Sequence, residues 1–154
     1  MSSVGLESLD HTVELTHIWI NELDDRLGWN NKRRSYRLLK AVLHVLRDWL
    51  QVGEAADLAA QLPTLLRGAY YEQWRPASTP VEHRTKADFL TRVEDSFKRD
   101  PLPQPSQAVM AVLELLSKKI SPGEIHDVRR ALPEELRNLW PEPYAPAGTV
   151  VSGE

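Results

Sequence analysis

The sequence contains no cysteine, and this absence excludes disulfide bonds, thiolate nucleophiles and cysteine-ligated metal sites. It also has no apolar run that approaches the roughly 18 residues of a membrane-spanning helix. The first ten residues have neither a basic start nor an apolar stretch, as a signal peptide would. Because the formal net charge is −3, binding of the whole chain to nucleic acid or to a membrane surface is disfavoured. We therefore expect a soluble cytoplasmic protein.

Motifs that carry enzymatic chemistry are missing as well. The sequence has no Gly-x-Ser-x-Gly elbow, no glycine-rich phosphate loop and no dinucleotide fingerprint. Its five histidines form no pair at i, i+4, and the Glu-x-x-His of Glu14 and His17 has no second copy with which to build a metal site. We expect no catalytic residues, no metal, no cofactor and no enzymatic activity.

What the sequence does contain is an internal repeat. A shift of 70 positions places Ala41–Leu43 on Ala111–Leu113 and Leu66–Arg67 on Leu136–Arg137. A fixed period of this kind indicates two copies of one supersecondary unit. Because a unit of about 70 residues would be marginally stable alone, we expect one domain over residues 1–140. Its first repeat covers about 6–74, its second repeat about 80–140, and a flexible tail rich in proline and glycine covers 141–154.

All the periodic segments predict helices. Apolar residues recur at three- and four-residue spacing from Leu6, Leu9 and Val13 onward to Leu27, followed by Gly28 as a C-cap. Long helices are expected over Asn31–Leu50 and Ser106–Ile120, and capping boxes at Thr79–Glu82 and Ser121–Glu124 should begin two others. No segment predicts a strand. The expected fold is therefore an all-α helical bundle of two pseudo-symmetric four-helix repeats without a sheet.

Several of these blocks together resemble a known family. They are Leu62–Pro63, Arg67–Gly68, Tyr70–Tyr71, Trp74, Pro76 and Phe89–Leu90, together with Ala41–Leu43, Gly53–Glu54 and their echoes in the second repeat. This combination resembles the bacterial family DUF2267, from about Leu6 to Trp140. The resemblance implies an all-helical bacterial protein. It carries over no reaction, cofactor or catalytic residue.

A basic stripe follows the second predicted helix. Its members lie at i, i+4, i+7, i+11 and i+14, which places them on one helix face; they are Arg33, Arg37, Lys40, His44 and Arg47. Such a stripe could bind phosphate, a nucleic-acid backbone or an acidic partner. Alternatively, the stripe and the acidic first helix could complement each other's charge, for example through Asp24 and Asp25, or both could be solvated faces without a binding role. The equivalent stretch from Gln104 to Met110 is uncharged, which favours a functional role.

Two further clusters allow both a functional and a packing interpretation. Tyr70, Tyr71 and Trp74, with Arg67 beside them, could form a binding hot spot or pack the two repeats together. Because Arg67 recurs as Arg137, we expect both arginines to bind carbonyls at helix ends. Paired carboxylates also recur, as Glu54 with Asp57 and Glu124 with Asp127, and their place in a first helical turn explains them through the helix dipole.

The function predicted from these patterns is that of a non-catalytic module that binds a protein or peptide, in the cleft between the repeats or on the basic stripe. The alternative is nucleic-acid or phosphate binding through the basic stripe. The candidate binding residues are Arg33, Arg37, Lys40, His44, Arg47, Tyr71 and Trp74.

Overall fold

The computed structural model describes residues 6–140, and the regular elements in this range are all helical. The helices are α1 (Glu7–Leu27), α2 (Lys32–Trp49), α3 (Val52–Ala59), α4 (Thr64–Tyr71), α5 (Lys86–Glu94), α6 (Pro105–Lys119), α7 (Pro122–Ala131) and α8 (Glu134–Arg137). Short 3-10 turns lie at Pro76–Ser78 and Asp95–Phe97. The predicted all-α class is confirmed. The tail predicted at 141–154 lies outside the described residues.

The turn between α1 and α2 is built around one buried carboxylate. Asp24 is 5% exposed, and its Oδ1 accepts hydrogen bonds from the Asn31 backbone N–H at 3.0 Å and from the Ser35 hydroxyl at 2.7 Å. Gly28 ends α1 at a φ of 68°, a left-handed conformation that favours glycine. The Asn31 side chain then caps α2 by accepting from the Arg34 N–H at 3.1 Å. The C-cap predicted at Gly28 is confirmed.

The capping box predicted at Thr79–Glu82 is wrong. The helix that carries Phe89 begins at Lys86, and its capping box is Thr85 with Asp88, each side chain bonded to the other residue's backbone N–H at 3.0 Å. A threonine followed three positions later by an acid occurs twice in this stretch, at Thr79–Glu82 and at Thr85–Asp88. The Thr79 hydroxyl donates to the Pro76 carbonyl at 2.9 Å and so belongs to the preceding turn.

The core lies where the long helices α2 and α6 pack against each other. Their inward faces are fully buried, as in Leu39, Leu43, Val109 and Leu113, which are all 0% exposed. Around this pair, α1 packs against α2 and α6, and α5 packs against the same two helices. The buried residues of all eight helices form one contiguous cluster. No helix in the range 6–140 is long and apolar enough to cross a membrane.

The N-terminal part of α1 extends beyond this core. Leu6, Leu9 and Val13, predicted from their spacing as part of the apolar face of the first helix, are 65%, 58% and 42% exposed. The buried face of this part of the helix instead carries Thr12 and Thr16, which are 8% and 4% exposed, and the Thr12 hydroxyl accepts from the Leu65 N–H of α4 at 2.8 Å. The spacing therefore predicted the helix correctly, but it did not predict which face of the N-terminal part is buried.

Two arginines bind backbone carbonyl groups at the C-terminal ends of helices. Arg67 donates from Nε to Ala59 O at 3.0 Å and from Nη2 to Leu62 O at 3.1 Å, at the end of α3. Arg137 donates from Nε to Arg129 O at 2.9 Å and to Leu132 O at 3.0 Å, at the end of α7. Ala59 O and Arg129 O each also accept a backbone N–H, from Leu62 at 3.0 Å and from Leu132 at 3.2 Å, so each arginine adds a second donor at the end of its helix. The prediction that both arginines bind carbonyls at helix ends is confirmed.

Candidate functional site

The structure divides the predicted basic stripe into two parts. Arg47 is 3% exposed, and its Nη1 donates to both the Tyr70 and the Glu72 carbonyl oxygens at 2.7 Å. Its Nε donates to Asp48 Oδ1 at 2.9 Å. Arg47 therefore holds the chain after α4 against α2, and it is not a surface cation as predicted. The periodicity could not show this, because a buried arginine and an exposed one have the same spacing.

His44, which is half-buried, also contacts the chain after α4. Its Nε2 lies 2.7 Å from the Ala69 carbonyl oxygen. Burial lowers the pKa of His44 below its ordinary 6.5, and the nearby Arg47 lowers it further, whereas the bond to Ala69 opposes this shift. At neutral pH the ring is therefore uncharged and donates its N–H to the carbonyl. His44 adds no charge to the predicted stripe.

The other part consists of Arg33 and Arg37, which are exposed, and Lys40, which is half-buried. Aromatic rings hold Arg37 and Lys40. The Lys40 ammonium lies 4.6 Å from the centre of the Tyr36 ring, and the Arg37 guanidinium lies 5.3 Å from the centre of the Phe97 ring. Six ion pairs occur within residues 6–140, and none of them involves these three cations. Their positive charge is therefore not neutralised by a carboxylate in direct contact within that range.

The predicted alternative, in which α2 pairs with acids of α1, is wrong. The Asp24 carboxylate bonds to Asn31 and Ser35, as described above, and Glu22 pairs with Lys119 of α6 at 2.8 Å. Within the described range, no ion pair joins α1 to α2. The one buried acid between the two helices, Asp24, binds a hydroxyl and a backbone N–H instead of a cation of α2.

A surface groove of about 510 Å³ brings three of the predicted residues together. We call it the α2 groove; it is lined by Arg37, Lys40, Ala41, His44, Glu72, Gln73 and Ser96. The α2 residues form one side, and the segment held by Arg47 forms another. The shape of the groove therefore depends on the hydrogen bonds of the buried Arg47, and its positive charge comes from Arg37 and Lys40.

The aromatic cluster is mainly a packing feature. Tyr70 is fully buried, and its hydroxyl donates to the Ala55 carbonyl at 2.7 Å. Burial raises the pKa of Tyr70 well above its ordinary value, so the hydroxyl stays a donor. The Tyr71 ring lies 5.3 Å from Tyr70 and 5.1 Å from Trp74, and both outer rings are half-buried against the core. Tyr71 and Trp74 do not line the α2 groove.

A second groove, which the sequence did not reveal, lies between the end of α1 and the start of α6. We call this cavity of about 430 Å³ the α6 groove; it includes Trp29 and the exposed side chain of Met110. Five of its lining positions lie 70 residues from five positions of the α2 groove. The pairs are Ser96 with Arg26, Arg37 with Gln107, Lys40 with Met110, Ala41 with Ala111, and His44 with Glu114.

The recurring carboxylates come together on a third surface. Because α3 packs against α7, Glu54 and Asp57 share one shallow pocket with Glu124 and Asp127. Partial burial raises the pKa of Glu124 above its ordinary value, and repulsion by the other three carboxylates raises it further. Within residues 6–140, no group of three or more histidines or carboxylates has an arrangement that could hold a metal ion.

These features describe an all-helical protein with one core and two grooves, one of which is lined by the unpaired cations Arg37 and Lys40 within residues 6–140. The family described as "Uncharacterized conserved protein (DUF2267)" matches residues 16–139 of this sequence. The chain therefore belongs to the DUF2267 family, and the resemblance drawn from its motifs is confirmed. No curated protein matches the chain.

Proposed function

We propose that this protein is a non-catalytic interaction module whose α2 groove binds an acidic segment of a partner protein. One observation carries the proposal: Arg37 and Lys40 line the same groove and rest on aromatic rings instead of pairing with carboxylates. Arg33, which is exposed, lies one helical turn before Arg37. Stacking fixes the direction of both side chains, so less conformational entropy is lost when they bind a carboxylate.

The groove also indicates which part of a ligand meets which wall. Glu72 lies on the wall opposite α2, and its charge contributes, after burial, to the raised pKa of Tyr36. A ligand carboxylate is therefore repelled near Glu72 and attracted toward Arg33 and Arg37. Ala41 offers an apolar contact between these ends. An acidic peptide, with carboxylates on apolar stems, fits this division of charge.

Nucleic-acid or phosphate binding at the same cations is the alternative function. Exposed Lys98 and Arg99 follow directly after Phe97, on which Arg37 stacks, and they extend the positive charge beyond the groove. A phosphate backbone needs several cations in a row, and its binding weakens steeply as salt rises.

A fluorescence-anisotropy titration with labelled decaglutamate tests the proposal. We expect saturable binding by the wild-type protein and at least about tenfold weaker binding by R33A/R37A/K40A, because each contact with a charged group contributes about 1.5–3 kcal/mol. The matched control K86A/K118A/R130A removes the same charge at exposed positions elsewhere and should bind like the wild type.

Two outcomes of this titration would contradict the proposal. In one, R33A/R37A/K40A binds decaglutamate as tightly as the control does. In the other, a ten-nucleotide single strand or inorganic phosphate displaces decaglutamate at much lower concentration and binds with a steep salt dependence, which would support the alternative.

We also propose that α1–α4 and α5–α8 are two pseudo-symmetric copies of one four-helix unit. Three observations support this. Arg67 and Arg137 each bind the carbonyls eight and five residues before them, and the two grooves share five lining positions that lie 70 residues apart. In addition, α1 packs against α6 and its proposed equivalent α5 packs against α2. An experimental structure tests it by superposition of residues 36–70 on 106–140. One rotation should align the helices, and different helix crossings in the two halves would contradict it.

A further inference from the structure

The first turns of α1 carry apolar side chains that the core does not cover. Leu6, Leu9 and Val13 follow each other at i, i+3 and i+7, so they share one helix face, and they are 65%, 58% and 42% exposed. Single exposed apolar side chains are ordinary on a protein surface, whereas neighbouring ones on one helix face form a contiguous patch. We call these three residues the α1 ridge.

Helix α4 places a further apolar side chain beside this ridge. The Leu65 N–H donates to the Thr12 hydroxyl at 2.8 Å, and Thr12 directly precedes Val13 in α1. The Leu65 side chain is 46% exposed. The exposed apolar surface is therefore formed by residues of two helices whose relative position is fixed by a hydrogen bond.

The part of α1 that carries the ridge has no helical counterpart in the second half. Helix α5, proposed above as the equivalent of α1, begins at Lys86, which lies 70 positions after Thr16. Residues 77–85, which correspond to 7–15, contain no α-helix. The match to the family also begins at Thr16. Residues 7–15 therefore extend α1 beyond the helix that the second half contains, and burial in the core does not explain their apolar face.

The charge around the α1 ridge has one sign. Glu7, Asp10 and Glu14 lie in the same turns as the ridge and are exposed, and the first lysine or arginine of the chain is Arg26. Within residues 6–140, none of these three acids takes part in an ion pair. The ridge is therefore an apolar stripe flanked by carboxylates without a cationic partner in that range.

This combination selects among the occupants of an apolar helix face. A helix with apolar residues on one side and lysines or arginines next to them complements both the stripe and its carboxylates. Two copies of this chain that met ridge to ridge would bring the three acids of each copy together, and an anionic membrane surface would repel them.

We infer that the α1 ridge, together with Leu65, is a docking surface for a basic amphipathic helix of a partner protein. The partner helix packs its apolar face on Leu9, Val13 and Leu65, and its cations meet Asp10 and Glu14. This surface is separate from the α2 groove, and the inference does not depend on the function proposed for that groove.

Fluorescence anisotropy with two labelled peptides tests the inference on the full chain. The basic probe is LKKLLKLLKKLLKL, and the acidic probe, LEELLELLEELLEL, has the same apolar pattern with glutamate in place of lysine. The acidic surface between α3 and α7 also attracts a basic peptide, so variants must separate the ridge from charge alone. The ridge variant is L6Q/L9Q/V13Q. Its matched control, I18Q/V52Q/M110Q, removes three other exposed apolar side chains.

We expect the wild type and the I18Q/V52Q/M110Q control to bind the basic probe at least about tenfold more tightly than L6Q/L9Q/V13Q, because only the ridge covers the apolar face of the probe. The wild type should bind the acidic probe at least about tenfold more weakly than the basic probe. E7Q/D10N/E14Q should weaken binding of the basic probe more than E82Q/E94Q/E134Q, which removes the same charge at exposed positions elsewhere.

The inference is overturned if the wild type shows no saturable binding of the basic probe, or if L6Q/L9Q/V13Q binds this probe as tightly as its control does. It is also overturned if the acidic probe binds the wild type as tightly as the basic probe. Sedimentation velocity tests a second copy as the occupant: wild-type dimers that L6Q/L9Q/V13Q abolishes would assign the ridge to self-association and overturn the inference. Circular dichroism shows that each variant keeps its helical fold.

Discussion

The α2 groove and the α6 groove use positions 70 apart, yet they differ in chemistry. Arg37 and Lys40 in the first groove correspond to Gln107 and Met110 in the second, whereas alanine occupies the equivalent position in both. The difference shows that the inward residues and the exposed residues of a helix can change independently. The inward faces of α2 and α6 are both apolar, whereas their groove-lining positions differ in charge, so the two grooves offer a ligand different chemistry.

The chain after α4 and the end of the described chain at Trp140 are also held differently. In the first half, the charged Arg47 and the neutral His44 bind three backbone carbonyls of the chain that runs from Ala69 to Glu72. Their counterparts are Ser117, which accepts one hydrogen bond from Trp140, and Glu114, which pairs with Arg26. The wall of the α2 groove formed by the chain after α4 is therefore fixed to α2 by three hydrogen bonds.

The largest effect is expected where the two halves are alike, in the shared core. Leu43 and Leu113 correspond to each other, and both are 0% exposed. We expect Leu43→Ala and Leu113→Ala each to lower the free energy of unfolding by about 2–5 kcal/mol, since each leaves a cavity in the same core. Urea denaturation measures both. A loss confined to one variant would show that the halves do not share their core equally.

A smaller effect on stability is expected at two positions where the halves differ, Arg47 of α2 and Ser117 of α6. Arg47→Met keeps the aliphatic stem but removes the charged donor from two carbonyls, and should cost about 2–3 kcal/mol in the free energy of unfolding. Ser117→Ala removes one hydrogen bond to an indole and should cost about 1 kcal/mol or less. A larger drop in the urea midpoint for Ser117→Ala than for Arg47→Met would contradict the role of Arg47 in holding the chain after α4 against α2.

The pH dependence of stability sharpens the contrast further. The folded-state pKa of His44 is lowered, so as the pH falls below 6.5 the unfolded chain binds a proton that the folded protein does not. The free energy of unfolding should therefore decrease with acidification until the pH reaches the folded pKa. His44→Gln retains an N–H donor without titrating, and should flatten this part of a urea-midpoint-against-pH curve. An unchanged slope would contradict a neutral, buried His44.

The smallest effect on the free energy of unfolding, an increase and not a decrease, is expected at the acidic surface where α3 meets α7. Because the folded-state pKa of Glu124 is raised, the folded protein binds a proton before the unfolded chain does as the pH falls toward 4.5. This group therefore destabilises the fold at neutral pH, and acidification relieves the repulsion. Glu124→Gln should raise the urea midpoint slightly at neutral pH, and a lower midpoint would contradict repulsion among these carboxylates.

The elements of the fold followed from local signals in the sequence. Apolar spacing predicted the helices, and the residues around Gly28 and Asn31 predicted their ends, because these signals depend on neighbours along the chain. The error at Thr79 arose because two similar capping patterns compete within a few residues, and only the surrounding turn decides between them.

The candidate site was less predictable, because it depends on which surfaces meet. Spacing placed Arg37 and Lys40 correctly on one face with Arg47, but it could not show that the chain after α4 covers Arg47 and His44. The α6 groove carried no charged pattern and was missed. The 70-residue shift contained a usable signal, since it relates the lining positions of one groove to those of the other.

Exchange of the groove residues tests most directly whether the cations of the α2 groove carry the binding function. The variant R37Q/K40M gives the α2 groove the residues of its counterpart, and Q107R/M110K makes the reverse change. In the decaglutamate titration we expect R37Q/K40M to lose binding by about tenfold or more, and Q107R/M110K to keep the affinity of the wild type at the α2 groove, because it leaves that groove unchanged. Undiminished binding by R37Q/K40M would contradict the account.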